Sequence, residues 1–110
     1  MNLDELVASI ADVKLQQDLS HWVELWKHDD KDIHDLSYMI GKWHGNVWFQ
    51  DANTSNKFYD DYQEFKKTAI TSIGGLTMNE RLYWFGLFEI WDTGDEATQC
   101  RLRSKLHAQV

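Results

Sequence analysis

A chain of 110 residues with 18 Asp and Glu against 11 Lys and Arg carries a formal charge of −7, which repels phosphate backbones and argues against direct nucleic-acid binding. Hydrophobic residues at 43% and charged residues at 26% give a globular rather than a disordered balance, and this length suits one domain. The single cysteine, Cys100, excludes an internal disulfide and fits a reducing compartment. The start, Met1-Asn2-Leu3-Asp4-Glu5, has neither the basic residues nor the apolar run of a secretory signal, so a cytoplasmic location is expected.

The acidity is uneven. Residues 1–55 hold ten acidic and four basic residues, a balance of −6, while residues 56–110 hold eight and seven. Aromatic residues reach 14%, with six Trp, more than a core of this size buries whole. Some rings are therefore expected at the surface, where Trp and Tyr favour interfaces.

The chain has no proline, so hydrophobic periodicity sets the elements. Leu3, Leu6, Val7 and Ile10 predict a short first helix, with Asp4 and Glu5 in its first turn. Asp12 caps a second helix whose Leu15, Leu19, Trp22, Val23 and Trp26 share one face. Lys27 and His28 close it. After a polar break with a capping Asp, Ile33, Leu36, Ile40, Trp43, His44 and Val47 mark a third helix. Gly41 and Gly45 on it are spaced to admit a neighbouring helix. Residues 46–55 are turn-rich and contain Trp48 and Phe49. Ser55 or Asn53 then caps a fourth helix with Phe58, Tyr62, Phe65, Ala69 and Ile73 in phase, ended by Gly74-Gly75.

The most apolar stretch follows. Thr77 and Glu80 have capping-box spacing, and from Leu82 to Trp91 only Gly86 and Glu89 are not large and apolar or aromatic. Such a run predicts one central helix over residues 77–91, covered on several sides, with Trp84 and Phe88 in the core and a left-handed stop at Gly94. It is far shorter than the roughly 20 residues needed to span a bilayer. Asp95 caps a last helix from Glu96 to about Gln109 with Leu102, Leu106 and Val110 spaced by four. No two-residue alternation is sustained. The expectation is an all-α, compact single-domain bundle of about six helices over residues 1–110.

His28-Asp29-Asp30-Lys31-Asp32-Ile33-His34-Asp35, with His21 before it, has metal-ligand residue types but no zinc spacing, and helix capping explains the Asp residues as well. Cys100 beside Arg101 and Arg103 reads as an activated thiol or as a small buried residue. Arg101, Arg103 and Lys105 complement the end of their own helix. Gly74-Gly75 lacks the Lys of a phosphate loop. No catalytic residue, metal or cofactor is assigned.

The remaining feature is acidic and aromatic. Asp29, Asp30, Asp32 and Asp35, with Asp60, Asp61 and Glu64, read either as solvated faces or as a surface that docks a basic active site. Trp43 and Trp48 are the candidate anchoring rings.

In size, acidity and Trp-rich helices, and in the block Leu76-Thr77-Met78-Asn79-Glu80-Arg81-Leu82-Tyr83-Trp84-Phe85-Gly86-Leu87, the chain resembles bacterial toxin-immunity proteins of the contact-dependent growth inhibition or other polymorphic-toxin type. The resemblance implies a cytoplasmic inhibitor that binds one secreted toxin domain, often a nuclease, and covers its active site. Two other classes stay open: an acidic nucleic-acid mimic of phage origin, and a small metal-dependent or thiol enzyme.

Overall fold

A computed structural model describes residues 1–108. Among them the fold is all-α: seven α-helices, a π-helical turn and a 3-10 turn, without strands. The side chains that begin each helix account for its start. Asn2 and Glu5 form a reciprocal capping box on α1 (Leu3–Ala8). Asp12 Oδ1 accepts from the N–H groups of Lys14 and Leu15, at 2.9 and 3.1 Å, to open α2 (Val13–His28). Asp32 does the same at His34 and Asp35 for α3 (Ile33–Asn46), and Asp35 answers the Asp32 N–H. The cap of α4 (Ala52–Phe65) is Asp51, ahead of the Asn53 or Ser55 expected, because its carboxylate takes both the N–H and the hydroxyl of Thr54. Thr77 and Glu80 cap α5 (Met78–Phe85), and Asp95 caps α7 (Glu96–Lys105).

Residues 77–91 are not one helix. Gly86 takes the left-handed conformation, φ 65° and ψ 39°, and its N–H closes on Leu82 and Tyr83. Leu87 N–H then bonds Leu82 O at 2.9 Å, completing a glycine stop, and α6 (Phe88–Thr93) starts in a new direction. The turn carries Leu87 inward, fully buried, and leaves Phe88 42% exposed and Trp84 half-buried, so neither of the two expected core rings is fully enclosed. Gly94, by contrast, has φ −83° and is no left-handed stop. Open space surrounds Gly41 and Gly45, so among the described residues no helix packs on them. The last helix ends at Lys105, and the expectation for Gln109 and Val110 lies outside the described residues.

The apolar stripes converge on one core. Leu3, Leu6, Val7 and Ile10 meet Leu19, Val23 and Trp26, then Ile33, Leu36, Ile40 and Trp43, with Phe58, Tyr62 and Phe65 from α4. Phe85 stands edge-on to Phe65 at 5.6 Å between ring centres and tilted to Trp26 at 5.7 Å. Past α4 the π-helical turn Lys66–Thr71 keeps Ala69 and Ile70 buried, and the 3-10 turn Ile73–Gly75 follows. Trp22 departs from expectation: it is 45% exposed. At 3.6 residues per turn it stands roughly 60° from the centre of the stripe formed by Leu19, Val23 and Trp26. Asn2 Nδ2 donates to Tyr83 O at 3.1 Å, joining the start of α1 to the end of α5.

Two outcomes test this construction. Gly86→Ala should cost about 1–2 kcal/mol from its left-handed backbone alone, read by urea denaturation; its Cβ would also fall 2.0 Å from Asp4 Oδ2. The carboxyls of Asp51, Glu80 and Asp95 lie below their ordinary values, held there first by the backbone N–H groups of Thr54 and Thr98 on the two aspartates and by that of the Thr77 capping box on Glu80. Depressed folded-state values mean that this stabilisation is complete above the unfolded values, 3.8 for Asp and 4.5 for Glu, and is lost as pH falls through the folded ones. Asp95→Asn keeps a capping oxygen but cannot titrate. Its melting temperature should match that of the parent at neutral pH and fall less on acidification.

Candidate functional site

The turn between α2 and α3 holds Asp29, Asp30 and Asp32, with Asp35 in the first turn of α3, and α7 reaches it. Lys105, 1% exposed, donates through Nζ to Asp29 Oδ1 at 3.0 Å, to Lys31 O at 2.5 Å and to Trp26 O. The same ammonium lies 4.1 Å from the centre of the Trp26 ring. Arg101 Nη1 donates to the carbonyls of Lys27 and Asp29. Arg101 and Lys105 thus serve carbonyls at the end of α2 and in the turn after it, not those of their own helix, while Arg103 lies over the Trp91 ring. Burial pushes the Lys105 ammonium below its ordinary 10.5, while Asp29, by hydrogen bond and charge, pulls it back.

Asp29 is consequently a structural partner. Asp32 caps α3, and its Oδ2 lies 2.8 Å from His107 Nε2. Burial raises the Asp32 carboxyl, but the His107 bond and the N–H groups of Asp35 and His34 outweigh it and leave the group below 3.8. Asp35 completes the capping box. Of the four, Asp30 alone has no donor among the described residues. On α4, Asp61 pairs with Lys57 at 2.8 Å, while Asp60 and Glu64 are exposed and have no such donor. Trp43 is buried and Trp48 is 92% exposed. Trp43 also lies eleven residues along α3 from Asp32, about 16 Å at 1.5 Å per residue, so the ring and the acidic turn occupy opposite ends of the helix. No three of His, Cys, Asp and Glu among the described residues converge as metal ligands. Cys100 is exposed, so it does not fill the core.

A surface that includes Trp43 lies between α2 and α3. Trp22 and Leu25, one turn apart on α2, are 45% and 48% exposed, and Tyr38 on α3 is 72% exposed. Trp22, Tyr38, Met39, Lys42, Trp43 and Asn46 enclose an apolar groove of about 380 Å³. Trp43 is fixed in its wall: Nε1 donates to Asp18 Oδ2 at 2.8 Å, and its ring meets Phe58 and Phe49 edge-on. Trp22 in turn stands edge-on to His21. Of its rings the sequence pointed to Trp43 as an anchor, whereas Trp22 read as core.

No family model, curated protein or solved structure matches the chain. Among the described residues no helix is long and apolar enough to cross a membrane. The fold and the surface define an all-α protein that presents an aromatic groove on a helical hairpin.

Lys105→Met should cost about 3–5 kcal/mol in urea denaturation, because it leaves the Asp29 carboxylate without its counter-charge and the Trp26 and Lys31 carbonyls without their donor. Pairing it with Asp29→Asn should recover part of that loss, the coupling expected of directly bonded groups. Additive single effects would contradict the contact.

Proposed function

We propose that this protein is a cognate inhibitor of a basic protein domain, an immunity protein of the kind paired with secreted bacterial toxins, and that the α2–α3 groove anchors its partner. The observation that carries the reading is the groove formed by Trp22, Tyr38, Met39 and Trp43 on a chain of charge −7. Trp and Tyr are the side chains that most often dominate binding energy, and a ring already fixed by neighbours loses little freedom on binding.

The acidic residues contribute at longer range. A carboxylate that caps a helix accepts from neutral N–H groups and remains charged, so Glu5, Asp12, Asp35 and Asp51 still add to the anionic field. Asp30, Asp60 and Glu64 are the exposed carboxylates from the sequence-selected set left to meet a partner's cations. A nuclease active site is cationic in order to hold phosphates, so an anionic inhibitor is steered to it and occludes it. A nuclease domain is therefore the partner this chemistry favours.

The test is co-purification with the product of the adjacent upstream gene, followed by rescue of cells from its toxicity. Trp22→Ala and Tyr38→Ala should each weaken the complex by about 2 kcal/mol or more, mainly through faster dissociation. Combined neutralisation of Asp30, Asp60 and Glu64 should slow association and flatten its salt dependence, since charges are screened beyond about 8–10 Å. Absence of both complex and rescue contradicts the function; undiminished binding by the two ring variants contradicts the site.

A further inference from the structure

A second groove runs along the opposite flank of α3, and its electrical character is the reverse of the chain's. We propose that it binds an extended acidic peptide segment whose carboxylates lie three or four residues apart. The groove encloses about 1000 Å³ and is lined by His34, Tyr38, Lys42, Tyr59, Tyr62 and Lys66, among others, and by no carboxylate among the described residues. In a chain with 18 acidic and 11 basic residues, a wall free of Asp and Glu on this scale is a local reversal of sign.

Its lysines also stand without a carboxylate partner among the described residues. Lys27, Lys57 and Lys105 each hold a carboxylate within 3.0 Å, whereas Lys42 and Lys66 have no ion-pair partner among the described residues. The hydroxyl of Tyr62 is engaged with Ser37 at 2.8 Å, but those of Tyr38 and Tyr59 have no partner among the described residues and can donate to a ligand.

The spacing of the cations selects the ligand. Helices α3 and α4 run antiparallel, with His44 Nε2 3.1 Å from Ser55 Oγ towards one end and Ser37 against Tyr62 towards the other. Lys66, one turn past Tyr62, is therefore at the His34 end, and Lys42 is at the Tyr59 end. The eight residues from His34 to Lys42 rise about 12 Å. Cations rooted that far apart suit two separated charges better than one compact anion. An extended chain covers that distance in three to four residues at about 3.3–3.6 Å each, with the tyrosines between the two charges. Gly41 leaves open space above the helix backbone along that path.

The inference is independent of the inhibitor reading, and its test needs no toxin. A fluorescent hexapeptide with two glutamates three residues apart is titrated against the protein by anisotropy, beside its two-glutamine counterpart. Saturable binding of the glutamate peptide is expected, at least about tenfold tighter than the glutamine form. Lys42→Glu and Lys66→Glu should each weaken it at least about tenfold, while Lys67→Glu, which makes the same charge change outside the groove, should leave it nearly unchanged. Circular dichroism confirms that the variants remain folded. Four results would each overturn the proposal: no saturable binding, equal binding of the two peptides, equal effects of Lys66→Glu and Lys67→Glu, or displacement by inorganic phosphate at equal concentration.

Discussion

The Lys105 ammonium, enclosed at the α2–α3 turn, ties the last helix to the second and third and fixes how the hairpin is closed. The end of a helix leaves carbonyls without intrahelical partners, and burying them without donors is costly. Here the donors arrive from residues more than 70 positions away: Lys105 bonds Trp26 O and Lys31 O, and Arg101 bonds the carbonyls of Lys27 and Asp29. An unpaired buried charge would cost more than it satisfied, and Asp29 supplies the counter-charge while the Trp26 face supplies a second attraction. Trp26 is itself anchored, its Nε1 donating to Asp32 O at 2.8 Å. The hairpin that presents Trp22 opposite Tyr38 inherits its closure from this cluster.

Much of the fold was legible because its signals are local. Asp12, Asp95 and the Thr77/Glu80 box each lie within three residues of the N–H groups they serve, and the stripes of α1, α3 and α4 appear at 3.6-residue spacing. The misreadings have equally physical origins. An apolar run gives no sign that its one glycine turns left-handed, so Gly86 hid a break and made Phe88 look like core. Trp22 lies at the margin of its stripe, where periodicity does not decide between core and surface. The bond from Lys105 to Asp29 spans 76 residues, and no local pattern reports it.

The same contact changes the meaning of the acidic segment. Asp29, Asp32 and Asp35 looked like a docking patch, yet each holds the fold together at the turn, and removing their charges together would disturb structure as well as association. In the proposed inhibitor reading, recognition divides between a long-range field, to which capping carboxylates still contribute, and short-range anchoring by fixed rings. Tyr38 and Lys42 form the ridge between two grooves of different chemistry, one apolar towards α2 and one cationic towards α4. The outer face of α3, with its two uncovered glycines, is the surface both grooves share.

The most direct measurement of the proposed inhibitor reading is amide hydrogen exchange on the protein alone and with the proposed partner, the upstream gene product, added in excess. Protection gained on binding should concentrate in the exposed turns of α2 and α3 around Trp22 and Tyr38, leaving α6 and α7 as they are in the free protein. Protection centred on α5 to α7, with α2 and α3 unchanged, would contradict the assignment.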